Sequence, residues 1–262
     1  MQLNGDIIRT RDVTLGATLN LARNVNQVVE LYHDPESGID VNQYELGHMT
    51  GSAGVYVRAI EGEPIGSIYG TGYVRDEKGN VQMKDGLPVS ESEVYLGSVQ
   101  PDFTGSFGLN FDWKRFSANA LFSFRKGGKL FSVTEYSAAH AGTAKRTEER
   151  DNFLFNGTKV DAQAFWTTAP AEEFMYDASF LKLGELSFGY SLSRKFLETC
   201  TAGIVKTAKF SVYGSNLFYF IQHTPGTTPD GSSTDTSIFA SAFDMCPYPT
   251  TRNFGASITL GF

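Results

Sequence analysis

The sequence predicts an all-β fold: an antiparallel transmembrane β-barrel. Three observations carry this. Runs that alternate between apolar and polar residues, with Leu121 as a break in one of them, recur along the chain, each about ten residues long, the length a tilted strand needs to cross hydrocarbon. The connections between runs are strongly unequal, as they are in outer-membrane barrels. The final run alternates up to a terminal aromatic, Phe262.

Composition narrows the field first. The 262 residues are 41% hydrophobic and only 19% charged, with a net charge of -7. That is too apolar for a disordered chain, and an acidic balance without clustered Lys and Arg suits no nucleic-acid partner. Two cysteines, Cys200 and Cys246, cannot staple a chain of this length. There is no run of about 18 apolar residues for a membrane-spanning helix. The first residues, with Asp6, Arg9, Arg11 and Asp12, hold no apolar stretch of the signal-peptide kind. Soluble sandwiches and solenoids share this composition, so the elements must separate them from a barrel.

In chain order, Val13, Leu15, Ala17, Leu19 and Leu21 alternate with Asp12, Thr14, Gly16, Thr18 and Asn20. Residues 26–32 are the best helical candidate and make barely two turns. A strand lies within residues 52–73, where Val55, Val57 and Ala59 alternate with Tyr56, Arg58 and Ile60. Phe107, Leu109, Phe111 and Trp113 alternate with Ser106, Gly108, Asn110 and Asp112. Phe116, Ala118, Ala120, Phe122 and Phe124 follow after only Lys114-Arg115, which makes a tight hairpin. Leu181 and Leu183 change parity to Leu186, Phe188, Tyr190 and Leu192, so a bulge near Gly184-Glu185 is expected to restore one face. Residues 207–218 place Ala208, Phe210 and Val212 against Lys209, Ser211 and Tyr213. The last run sets Phe254, Ala256, Ile258, Leu260 and Phe262 against Asn253, Gly255, Ser257, Thr259 and Gly261.

Two connections, 127–178 and 219–252, are long and polar, and compact soluble domains rarely carry such loops. With the C-terminus placed in the periplasm, both fall outside, while 193–206 and Lys114-Arg115 fall inside. Cys200 and Cys246 then sit on opposite sides and are expected not to pair. Trp113 and Phe116 flank the tight turn, where an aromatic girdle would meet the membrane interface. Phe254, Ile258, Leu260 and Phe262 form the pattern that barrel-insertion machinery reads; a soluble domain ending on such an edge would risk aggregation.

At this point the residues resemble a known family. The motifs are Pro64-Ile65-Gly66-Ser67-Ile68-Tyr69-Gly70, and Leu96-Gly97 with Pro101-Asp102-Phe103-Thr104-Gly105. They continue through Phe124-Arg125-Lys126-Gly127-Gly128-Lys129-Leu130 and Ser179-Phe180-Leu181-Lys182-Leu183 to Leu186-Ser187-Phe188-Gly189-Tyr190. Ser215-Asn216-Leu217-Phe218, Tyr248-Pro249 and the closing strand complete them. In order and spacing they resemble the C-terminal portion of SusC/RagA-type TonB-dependent outer-membrane transporters. Where that family carries a Gly-Asp-Pro-Glu-like stretch, this chain has His223-Thr224-Pro225-Gly226 and Thr228-Pro229-Asp230.

The resemblance implies import of oligosaccharides or peptides across the outer membrane, energised through TonB, with a SusD-like surface lipoprotein as partner. It implies no enzymatic activity and no cofactor. The family barrel has 22 strands, which at about ten residues each need about 220 residues before any loop. Residues 1–262 are therefore expected to be the last seven or eight strands, with the plug and the TonB-contacting part lying elsewhere. Expected lumen-facing residues are Asn110, Asp112, Asn119, Ser123, Ser257 and Thr259. Tyr219 and Phe220, at an outer strand end, are candidates to stack on sugar rings or, as the favoured reading, to join the girdle. The alternatives are a soluble or surface-exposed carbohydrate-binding β-sandwich and a passive porin-like barrel.

Other chemistry is not apparent. His33, His48, His140 and His223 lack metal-ligand spacing and read as solvated loop histidines. Gly70-Thr71-Gly72 lacks the rest of a dinucleotide loop, and no Gly-x-Ser-x-Gly elbow exists. Glu148-Glu149 and Glu172-Glu173 read as solvated loop charge rather than a catalytic pair.

Overall fold

A computed structural model describes residues 1–49, 54–230 and 241–262. The chain opens on a hairpin of β1 (Gln2–Arg9) and β2 (Val13–Ala22). A first excursion, residues 23–102, then carries β3 (Tyr32–Asp34), β4 (Ile39–Val41), β5 (Gln43–Met49), β6 (Val55–Ile60), β7 (Ser67–Tyr73), β8 (Met83–Lys84), β9 (Leu87–Pro88) and β10 (Ser90–Ser98). The hairpin of β11 (Phe103–Trp113) and β12 (Phe116–Lys126) follows. A second excursion holds β13 (Lys129–Ser132), α1 (Val133–His140), β14 (Leu154–Phe155), β15 (Thr158–Lys159), α2 (Ala162–Thr168) and β16 (Met175–Asp177). Then come β17 (Phe180–Ser191), α3 (Arg194–Thr201), β18 (Thr207–Gln222), a third excursion with β19 (Phe243–Asp244), and β20 (Asn253–Gly261).

Seven strands form one antiparallel sheet in the order β1-β2-β11-β12-β17-β18-β20. The Lys114-Arg115 hairpin closes with Trp113 opposite Phe116, their rings stacked at 5.9 Å. Gly184 is the extra residue of the expected bulge: Leu183 and Glu185 pair with consecutive Phe122 and Leu121. Register carries one apolar face across the whole sheet. Leu19, Phe107, Phe122, Leu183 and Phe218 lie in one row, and Phe116, Tyr190, Phe210 and Ile258 in another. Where glycine sits in these rows an aromatic covers it. A Cβ at Gly105 would fall 2.5 Å from the Phe124 ring, and one at Gly255, on the other face, 2.4 Å from the Tyr213 ring.

The ends of the sheet differ. Residues 10–12, 114–115 and 192–206 make the connections at one end, and all three long excursions leave from the other. Cys200, in α3, and Cys246, beyond β19, therefore belong to opposite ends; both are free and exposed.

Several sequence expectations are corrected. Residues 26–32 form no helix. The strand expected within 52–73 is two strands, β6 and β7, and residues 52–53 lie outside those described. Both belong to a separate four-stranded sheet, β10-β7-β6-β5, and the seventh strand of the large sheet is β1. The reason is visible in β6. Val55, Val57 and Ala59 are 0–3% exposed, so its apolar face meets protein rather than solvent or lipid. The long polar connections are also not bare loops. The hydrophobic core is built entirely from the excursions, from Val55, Val57, Ile68 and Val99 of the first, Phe131, Phe165, Trp166 and Phe174 of the second, and Ala242 and Phe243 of the third. Residues 231–240 of the third connection lie outside those described.

Local signals start the helices inside this core. The Ser132 Oγ accepts from the Glu135 N–H at 3.1 Å and opens α1 in a Ser-x-x-Glu pattern. The Asp161 carboxylate accepts from the Ala164 N–H at 2.7 Å and opens α2. Buried Asp244 (3% exposed) locks the third excursion to the second, accepting from Ser132 Oγ at 2.6 Å, the Thr134 N–H at 2.9 Å, Thr134 Oγ1 at 2.6 Å and Thr227 Oγ1 at 2.9 Å.

Candidate functional site

The face of the seven-stranded sheet opposite the apolar one is mostly polar, broken at Leu121, which lies across from Gly108 and Glu185. Asn110 lies directly across from Asn119, Asp112 from Ser117, Ser123 from Ser106 and Lys182, Ser257 from Ser211, and Thr259 from Lys209. The six residues expected to face a lumen thus share one surface. Cross-strand hydrogen bonds tie it together: Asn20 Nδ2 to Ser106 Oγ at 3.1 Å, and Asn119 Nδ2 to Ser187 Oγ at 3.2 Å. Such pairs satisfy part of the hydrogen-bonding capacity of these side chains and leave further donors and acceptors on the surface.

Near the excursion end this surface carries a cluster that the sequence did not single out. Lys182, 9% exposed, donates from Nζ to Asn216 Oδ1 at 3.0 Å and to the Asp230 carboxylate, and lies 5.5 Å from the Tyr219 ring. Tyr219 donates its hydroxyl to Asp230 as well. Lys182 and Asp230 are separated by 48 positions, so spacing gave no signal; the alternation placing Lys182 on the polar parity was the available hint. The cluster pins the third excursion against the polar face.

The two aromatic candidates part company here. Tyr219 stands on the polar face, engaged with Asp230 and Lys182. Phe220, at a register shift of β18, packs 5.9 Å from Phe122 and 4.6 Å from Phe218, both on the apolar face. The C-terminal set Phe254, Ile258, Leu260 and Phe262 is 76%, 70%, 49% and 73% exposed on the edge strand.

Glu172 and Glu173 are not solvated charge. Arg75 donates to both Glu172 oxygens at 2.6 and 3.1 Å, and the Tyr73 N–H donates to it at 2.8 Å. Burial works to raise the Glu172 carboxyl; the Arg75 and Tyr73 bonds outweigh it and hold the group below its ordinary value. Glu173 accepts the Tyr73 hydroxyl at 2.9 Å and faces Arg146 at 3.5 Å. Burial first, then the neighbouring Glu173 charge, pushes the Tyr73 phenol up. These contacts join the first excursion to the second, a structural use of the carboxylates. His140 is also half-buried, stacked 4.1 Å from the Tyr136 ring. Among the described residues no group of His, Cys, Asp and Glu is arranged to hold a metal ion, and no helix is long and apolar enough to cross a membrane.

Comparison with known proteins points one way. The chain is 26% identical over 291 aligned residues to TonB-dependent receptor P3 of Formosa agariphila, covering 99% of this chain and 28% of that protein. The resemblance to SusC/RagA-type TonB-dependent receptors holds. Two solved structures share the fold across 100% of the chain: the RagAB peptide transporter (TM-score 0.66, 20% identity) and the RagAB peptide importer in its closed-closed state (TM-score 0.67, 21% identity). This chain spans 28% and 29% of those chains. No family model matches the chain.

Proposed function

We propose that this chain forms the C-terminal part of the wall of a TonB-dependent outer-membrane transporter that takes up oligosaccharides or peptides and is not an enzyme. The observation that carries this reading is the two-faced seven-stranded sheet. One face is apolar and open, with Phe188 53%, Phe210 49% and Ile258 70% exposed, and the other is polar but for Leu121. A water-soluble sheet would have to cover the first face; hydrocarbon covers it without protein, and a charge there would cost about 2–4 kcal/mol. β1 and β20 each pair on one side only among the described residues. Hydrocarbon tolerates no unpaired backbone edge, so the sheet belongs in a closed barrel completed by further strands.

In this arrangement Asn110, Asp112, Asn119, Ser123, Ser257 and Thr259 line the lumen. Tyr219 stands at its outer end, and Phe220 joins the lipid-facing girdle. The excursions lie outside the cell, where a SusD-like lipoprotein would dock. Energy would reach the barrel from TonB through a plug not encoded in these residues. Phe254, Ile258, Leu260 and Phe262 serve as the signal to the insertion machinery.

The test is extraction. The native protein is expected in the outer-membrane fraction, released only by detergent. Recovery as a stable water-soluble monomer overturns the reading and favours a β-sandwich.

A further inference from the structure

The four-stranded sheet of the first excursion carries a second surface that the wall does not use. Its inner face, with Val55, Val57 and Ile68, belongs to the core. On its outer face the register sets His48 of β5 opposite Tyr56 of β6, Tyr56 opposite Tyr69 of β7, and Tyr69 opposite Tyr95 of β10. One aromatic side chain from each strand thus forms a straight row, about 14 Å long at about 4.8 Å per strand. His48 and Tyr56 lie 6.4 Å apart, and Tyr69 and Tyr95 meet edge-on at 5.5 Å.

Charged groups frame the row. The Arg58 guanidinium lies 4.9 Å over Tyr56 and 5.5 Å over Tyr69 and is held by both oxygens of Glu93. His48 pairs with Glu45 at 2.5 Å. Glu63 accepts the Tyr69 hydroxyl at 2.7 Å through one carboxylate oxygen, while the other, Oε2, is buried with no hydrogen-bond partner. The backbone of β10 is also unusual at this place. Register shifts flank Tyr95 on both sides, and Glu93 holds a left-handed φ of 63°. Bulges re-aim side chains, and a left-handed non-glycine residue persists only where its surroundings impose it. Here they turn Tyr95 outward, 51% exposed, and bring Glu93 onto Arg58.

We infer that the row His48–Tyr56–Tyr69–Tyr95 binds a neutral glycan chain. A tyrosine ring presents a negative face that attracts the weakly positive C–H face of a pyranose ring; Tyr95, 51% exposed, offers the open ring of the row, while Arg58 already covers one face each of Tyr56 and Tyr69. The exposed carboxylates of Glu45 and Glu93 accept from ring hydroxyls beside them. Three carboxylates against the single Arg58 cation, itself committed to Glu93, leave the surface negative. Sulfated or uronic-acid polymers are therefore repelled. The surface would gather polysaccharide at the mouth of the transporter, so this inference deepens the uptake reading and rests on it.

The test uses the intact outer-membrane protein purified in detergent, with cellohexaose, maltohexaose and xylohexaose as neutral probes and polygalacturonate as the anionic one, read by calorimetry. Saturable binding of at least one neutral hexaose is expected, with no binding of polygalacturonate. Tyr95→Ala is expected to weaken that binding about tenfold and Tyr95→Phe, which keeps the ring, by less than about twofold. No binding of any neutral probe, or equal affinity in Tyr95→Ala, overturns the inference. Protein found in the outer membrane that binds no glycan refutes this inference alone; protein absent from that membrane refutes the uptake reading.

Discussion

Arginine at position 120 is expected to be far more damaging than arginine at position 119. Ala120 and Asn119 are neighbours near the middle of β12, but the register sends them to opposite faces. Ala120 sits across from Leu109 and Leu186, in the centre of the apolar face. Asn119 sits across from Asn110 and Ser187, and donates to the Ser187 Oγ at 3.2 Å. If the apolar face meets lipid, Ala120→Arg buries a cation near the bilayer midplane at about 2–4 kcal/mol. At about 1.4 kcal/mol per decade that is roughly 30- to 700-fold in the folding equilibrium. Asn119→Arg loses one hydrogen bond on a wet surface, about 1 kcal/mol or less. In a water-soluble sheet both positions would face solvent, and both changes would stay within about 0.5 kcal/mol. The assay is the urea midpoint of protein folded into lipid vesicles, together with the assembled fraction in outer membranes. Equal effects at the two positions would refute the assignment of faces.

Three further outcomes are expected. A membrane-impermeant maleimide added to intact cells is expected to label Cys246, at the excursion end, and to spare Cys200 in α3 until the envelope is opened; the reverse pattern would invert the topology. Asp244→Ala strips the shared acceptor from Ser132, Thr134 and Thr227 and is expected to cost the excursions about 3 kcal/mol, read as faster cleavage by added protease on whole cells while the wall stays embedded. Glu172 lies below its ordinary value of 4.5, so its contribution is complete at neutral pH and lost as pH falls through the lowered value; Glu172→Gln is expected to flatten the acid limb of excursion stability, and an unchanged limb would rule the carboxylate out as its cause.

Sequence alone disclosed the wall better than the excursions, for physical reasons. A spanning strand writes its two surroundings directly into a period of two, as in Phe107 to Trp113, and even the Gly184 bulge showed as a change of parity. β1 escaped because a register shift between Asp6 and Ile8 breaks its period, so Ile7 and Ile8 stand side by side. The excursion core escaped because no single stretch contains it. Phe131, Phe165, Trp166 and Phe174 become a core only when Val55, Val57 and Phe243 arrive from segments far away in the chain. Of the polar face, the uncharged rows were legible. The Lys182–Asp230 pair was not, since it joins β17 to the third excursion across 48 positions.

The two parts draw on different solvents for the same kind of free energy. In the wall, Phe254 and Ile258 remain 76% and 70% exposed, and in the proposed barrel their burial would be supplied by the bilayer. In the excursions, Phe131, Phe165 and Phe174 are 0–1% exposed and their burial is supplied by protein. At about 1.5–3 kcal/mol for each large apolar side chain, both terms are substantial. They answer to different perturbations, removal of detergent for the first and loss of Asp244 or Arg75 for the second. The polar surface at the mouth lies where the two meet. Lys182, on a wall strand, is nearly buried by Asp230 and Tyr219, and Asp230 belongs to the excursion that Asp244 anchors on Ser132 and Thr134. Asp230 is thus where the third excursion touches the polar face directly, through Lys182 and Tyr219.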